Sequence, residues 1–247
     1  LDRSSAASDV YKRQLRRVIA VGRRPSTGRV AAYVVAAAVA TICGARGPRR
    51  AAEVTKPIPI ALLAFDVARG TRQRRTADSV LLAGVIGASA AGDRLMLLEE
   101  FEPEPDAKDR HLRWGATLFA AAQLCYIASM WRAGARPDVY LLAPRLALLG
   151  ESAVVMARHR PRLLPVLGPY GQTLATMSAL AADLDRPQPR MRAGGWLFLA
   201  SDLTILNRRH LLDDPRARTV AEAWVLASYF AAQGLLVTGL DQLTRRA

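Results

Sequence analysis

The apolar residues of this chain are gathered into long runs, separated by short connections rich in Arg, Pro, Asp and Gly. That segregation limits the fold more than any motif does. Eight runs recur, at 30–44, 57–68, 79–98, 114–131, 139–157, 163–182, 193–207 and 220–240. A spanning helix needs about 20 mostly apolar residues, with roughly 17 to 25 tolerated. The second run is short, so it is either a partial span or one that recruits upstream residues. None shows strand alternation, and several are apolar all round, as a lipid-exposed or deeply buried helix must be. The expectation is an all-α, polytopic transmembrane helical bundle of about eight spans, with 30–240 as a single domain. A soluble all-helical protein with Ala-rich core helices is the alternative, and the missing amphipathic stripes count against it.

Composition sharpens this. Hydrophobic residues are 51% of the chain and aromatics only 6%, so the apolar mass is Ala, Leu and Val, which excludes strong disorder. Two cysteines, both inside apolar runs, exclude a disulfide-stapled domain and read as packing residues. Mean hydropathy is only +0.09 because charged connections dilute the runs. The net charge of +14 would ordinarily suggest nucleic acid. Here the basic residues form pairs between runs, such as Arg23-Arg24, Arg49-Arg50, Arg74-Arg75 and Arg208-Arg209. That is how a multi-spanning protein places Arg at lipid headgroups, so the expected partner is the bilayer and not nucleic acid.

Segment 1–14 is polar and patternless and reads as a non-native or disordered N-terminus. Segment 15–29 is a basic juxtamembrane stretch, and 241–247 a basic C-terminal tail. With eight spans both termini share a side, which the positive-inside rule makes cytoplasmic in a multi-pass cell-membrane protein. Gly84, Ala88 and Gly92 lie on one helical face, and Gly194-Gly195 open the seventh run. Small faces of this kind let helices approach closely in lipid.

Charges inside spans are costly, about 2.5–3.5 kcal/mol on insertion scales, and mark function or pairing. They are Asp93, Arg145, Glu151 and Asp202, with Lys56 at the mouth of the second run and Asp66 near its far end. Counted along alternating helices at about 1.5 Å per residue, Lys56, Asp93, Glu151, Asp202 and Asn207 fall in one half of the bilayer. Tyr229 and Gln233 sit near mid-depth on one face of the eighth run. Helix-to-helix hydrogen bonding is the bland account of any one such residue; a site is the better account of the set. Asp66 and Arg69 read as a headgroup-level pair. Three scattered histidines, with no HExxH spacing, give no metal site.

At these positions the sequence resembles the lysoplasmalogenase (YhhN-like) family of multi-spanning membrane proteins. The matching pieces are Lys56-Pro57, Gly92-Asp93, Gln123-Leu124-Cys125-Tyr126, Tyr170 with Met177, the block from Gly195 through Asn207, and Tyr229 with Gln233. One departure is Gln123, where the family commonly has His; Gln cannot titrate. The resemblance implies an eight-helix, metal-independent hydrolase without cofactor, acting on a single-chain ether lipid. It would cleave the vinyl ether bond of lysoplasmalogen to fatty aldehyde and glycerophospho-alcohol.

That chemistry suits two buried carboxyls. A vinyl ether is protonated on carbon, leaving an oxocarbenium ion; water adds, and the hemiacetal collapses. A carboxyl kept protonated by low dielectric supplies the proton, and an ionised partner steadies the cation and activates water. The same division of labour is used on glycosides. Asp93 and Asp202 are the expected catalytic pair. Lys56 is placed to hold the phosphate or to bias the proton toward one carboxyl. Tyr126, Asn207, Tyr229 and Gln233 would orient water or the glycerol backbone. A non-enzymatic small transporter or lipid-sensing protein is the competing class.

Overall fold

The structure, a computed structural model, describes residues 27–184 and 188–245; within these, the side chains of 206–211 lie outside the description. Segment 1–14 and most of 15–29 fall outside the described residues.

The described chain is all helix: α1 (Thr27–Arg46), α2 (Arg49–Thr55), α3 (Pro57–Arg69), α4 (Thr76–Glu100), α5 (Pro105–Arg132), α6 (Val139–His159), α7 (Leu164–Leu180), α8 (Pro189–Leu211) and α9 (Pro215–Thr244). Two single 3₁₀ turns precede α4 and α7. Among the described residues no strand forms; Arg74 and Arg245 make one isolated antiparallel bridge. Each apolar run has its own long helix. Four of these, α1, α4, α6 and α9, are long and apolar enough to cross a membrane. At 13 residues α3 is shorter than a full span, and α7, at 17, stands at the lower limit of one.

Helices outrun their apolar runs because capping chemistry extends them. The acidic stretch before the fourth run is the clearest case. The Glu104 carboxylate accepts hydrogen bonds from the Asp106 amide at 2.9 Å and the Ala107 amide at 2.5 Å. Pro105 supplies a first turn that lacks one orphan donor. Residues expected as connection, from Asp106 to Arg113, are therefore helical. Asp214 caps α9 in the same way, through the Ala217 amide at 2.8 Å. The short second run does not recruit its upstream residues. They form the separate helix α2, which ends where Pro57 starts α3.

The long helices pack α4 along α5 and α8 along α9, with α5 on α7, α6 on α7 and α1 on α9. Small residues set the closest approaches. A Cβ at Gly84 would meet the Cys125 sulfur at 2.8 Å, and one at Gly92 the Phe119 ring at 2.9 Å. Gly194 and Gly195 do the same against Leu236 and Ser178. Exposed aromatics form two levels. Trp131 and Tyr140 lie toward one end, and Trp114 and Trp224 toward the other. Such belts sit where headgroups meet chains.

At the Trp131 end, α9 continues to Thr244, so part of 241–247 is helical. Asp241 accepts a hydrogen bond from Arg74, whose side chain is wholly buried, and another from Arg245 Nη2 at 2.5 Å. Arg74 also donates to the Val67 carbonyl. Burial lowers the Arg74 guanidinium below its ordinary value, and Asp241 opposes that shift. Asp66 does not pair with Arg69. It takes Arg29 of α1 at 2.5 Å, and Arg69 lies over the Phe65 ring at 5.5 Å.

Candidate active site

A cavity of about 370 Å³ occupies the opposite end of the bundle, where α4 ends and α5 and α9 begin. Lys56, Asp93, Asp202 and Tyr229 all line it. Its deep end is closed by rings. Phe119 meets Tyr229 edge to face at 5.9 Å between centroids, and Phe198 meets Tyr229 at 5.6 Å.

Asp93 is presented by the face of α4 that Gly92 lets settle against Phe119. Its carboxyl faces the Tyr229 hydroxyl, and its Oδ2 is buried with no partner. The direction of the Tyr229 proton follows from its bond to Gln233. Its hydroxyl accepts from Gln233 Nε2 at 3.0 Å, so its own O–H is left for Asp93. Gln233 Nε2 also donates to Ser89 Oγ at 3.1 Å, and Gln233 Oε1 accepts from the Tyr126 hydroxyl at 2.9 Å. Tyr126 and Gln233 thus stand behind Tyr229 and do not line the cavity.

Asp202 is held by a second tyrosine. The Tyr170 hydroxyl donates to Asp202 Oδ2. Tyr170 comes from α7, directly after Pro169, which removes one backbone hydrogen bond from that helix. The neighbouring Ser201 ties α8 to α9 by donating to the Val225 carbonyl at 3.0 Å. Gln123 is buried one layer back, accepting from Thr173 Oγ1 at 2.5 Å. It does not reach the cavity, so any effect of its side chain on Asp202 passes through the α7 turn carrying Tyr170 and Thr173.

Lys56 Nζ donates to Glu100 Oε2 at 2.6 Å, and both line the mouth. Glu99 and Glu222 line it too. Outside the cavity, on the Lys56 side of the bundle, the Arg49 hydrogen bond holds the Glu53 carboxyl below its usual range. Asn207 lies within α8, but its side chain is outside the described residues. Glu151 is exposed and not part of the cavity. Arg145 is 1% exposed and apart from it, donating to Ser178 Oγ at 2.9 Å and lying 4.3 Å over the Trp196 ring.

Four lining groups were not singled out by sequence reasoning. Glu222 carried a signal, being a charge inside the 220–240 run. Glu99 and Glu100 were hidden in an apparent connection that is the last turn of α4. Ser152 had none. Tyr170 stood among the matching pieces without a role. Among the described residues no group of three His, Cys, Asp or Glu side chains is placed to hold a metal.

The model of the YhhN family matches residues 51–240, most of the described chain and every element that lines the cavity. No curated protein and no solved structure matches the chain.

Proposed function

The chain belongs to the YhhN family, and from that premise we propose that it is an integral membrane lipid hydrolase. The reaction is cleavage of the vinyl ether bond of a lysoplasmalogen, with Asp93 and Asp202 as general acid and base. The protein would be a multi-pass protein of the cell membrane with both termini cytoplasmic.

One observation carries the reading: carboxyls from two different helices, α4 and α8, line the same cavity, Asp202 held by the Tyr170 hydroxyl and Asp93 facing that of Tyr229. One carboxyl gives its proton to the vinyl carbon remote from oxygen, leaving an oxocarbenium ion. The other carboxylate faces that cation and takes a proton from the incoming water. The hemiacetal then collapses, with the bond to the glycerol oxygen breaking and a proton returned to that oxygen. The aldehyde keeps the chain. Charge develops in a cavity floored by aromatic rings, where little water competes with the carboxylate. Depth supports the substrate class. Asp93 lies two turns from the Glu100 end of α4, about 10 Å along the axis and near the Trp114 and Trp224 level. A lipid's linkage to glycerol sits at such a level.

The test is product analysis. Purified protein given lysoplasmalogen micelles is expected to release fatty aldehyde and no fatty acid, and Asp93→Asn and Asp202→Asn are each expected to abolish release while still inserting. Full activity in either variant removes the pair. Fatty acid from an ester lysolipid points to esterase work, and no product from any lysolipid points to the non-enzymatic class.

A further inference from the structure

The wall of the cavity formed by α6 and α7 is built of small residues at its edge. Gly150 of α6 and Gly168 of α7 both line the cavity, and a Cβ at either would meet nothing within 4 Å. Gly150 also stands exposed on the outer flank, and Leu146, one turn earlier and likewise in the lining, is 39% exposed. Residues that face a cavity and the outside together form the lips of an opening. Leu146 lies roughly 20 Å from the His159 end of α6 at about 1.5 Å per residue. The opening therefore runs along the helices toward mid-bundle and is not confined to the mouth.

A second observation points to a ligand. Ser152 is 2% exposed and lines the same wall, and its Oγ has no hydrogen-bond partner. A buried hydroxyl left unmatched is destabilising, and a ligand oxygen beside it removes that cost. The volume sets the rest. At about 370 Å³ the cavity is at the lower end of the roughly 300–1,000 Å³ of small-molecule sites. It can take the polar part of a lysolipid and the first carbons of its chain, and the remaining chain has to lie elsewhere.

We infer that the slit between α6 and α7 is a lateral entry for the single hydrocarbon chain of the substrate. The polar part lies between Ser152 and the two carboxyls, and the chain passes between Gly150 and Gly168 into the bilayer. The lips carry leucine and glycine, which suits a hydrocarbon and offers nothing to an ion or a peptide backbone. Because the outer chain then touches only lipid, the enzyme accepts long chains of different length. This inference rests on the lipid-hydrolase reading, and its test is built to fail separately.

The probe is a lysolipid ether with a photoreactive diazirine in mid-chain, incorporated with the full-length protein in lipid nanodiscs. Crosslinks are expected on α6 and α7 peptides, whether or not the lipid is hydrolysed. In parallel, Gly168→Trp and the milder Gly150→Leu are assayed on a long-chain and a butyl-length vinyl ether. The ratio of long-chain to short-chain kcat/KM is expected to fall about tenfold, equivalent to about 1.4 kcal/mol. Crosslinks confined to other helices, or an unchanged ratio in both variants, overturn the slit. If the wild type hydrolyses neither ether, the reaction fails, and the crosslink map alone decides the entry route.

Discussion

Gln233 donates to the hydroxyl of Tyr229, one helical turn before it on α9, at 3.0 Å. That contact fixes which way the Tyr229 proton points, and so ties a residue outside the cavity to the carboxyl inside it.

Replacing Gln233 by Met keeps the volume and removes three hydrogen bonds, to Tyr126, Ser89 and Tyr229. The expected outcome is a loss of about 1–3 kcal/mol in the detergent-solubilised protein, read by thermal unfolding, together with lower kcat. Unchanged kcat would mean that the orientation of Tyr229 is irrelevant to turnover.

Tyr170→Phe and Tyr229→Phe each remove the hydroxyl that faces one carboxyl. A hydrogen bond to a charged group contributes about 1.5–3 kcal/mol, so kcat should fall roughly 10- to 100-fold with KM little altered. Steady-state kinetics on micellar lysoplasmalogen separates the two parameters. A change confined to KM would assign the tyrosines to binding.

Gly92→Ala drives a methyl into the Phe119 ring, where the Cβ would sit at 2.9 Å. Overpacking of this kind costs typically 1–3 kcal/mol. Because Phe119 belongs to the floor, activity should fall beyond what lost folded protein explains. The check is specific activity per folded molecule, with Gly87→Ala as the control, since a Cβ there meets nothing within 4 Å.

Arg74→Met breaks a buried ion pair, for which about 3–5 kcal/mol is usual. Arg245 still neutralises Asp241, so the low end of that range is expected. Thermal unfolding should also show the added substitution Asp241→Leu restoring part of the loss; a further drop instead would mean that Asp241 has partners beyond the two arginines.

Glu53 gives a pH dependence with a definite sign. Arg49 holds its folded-state value below the ordinary carboxylate value. The stabilisation is thus complete above the unfolded value, about 4.3, and fades as pH falls through the lower, folded one. Acid titration of Glu53→Gln should show a shallower loss of stability in that window than the wild type. Parallel curves would show that the contact with Arg49 is absent in solution.

The helices were legible because length and apolarity of a run are local properties. Eight runs gave eight helices among the described residues, and of the groups the depth count set in one half, Lys56, Asp93 and Asp202 line one cavity while Glu151 does not. Rotation about each helix axis was not legible. A helix apolar all round carries no stripe to say which face turns inward. Hence the sequence alone puts Gln233 at the substrate, whereas it stands behind Tyr229, and gives no sign that Ser152 faces the cavity. Helix ends were misjudged where a cap overrides composition, as Glu104 does for α5. Ion pairing across the bundle was invisible for the same reason: Arg29 lies 37 residues from Asp66, and nothing local prefers it over Arg69.

Arg29 in the first turn of α1 and Arg245 at the end of α9 border one small pocket, and the Tyr33 hydroxyl of α1 donates to the Phe230 carbonyl of α9 at 2.6 Å. The bundle is therefore a closed ring whose seam runs between its first and last long helices. A permuted chain, sealed by a brief linker across that seam and opened in the turn between α5 and α6 on the same side of the membrane, would thread every helix in its original direction.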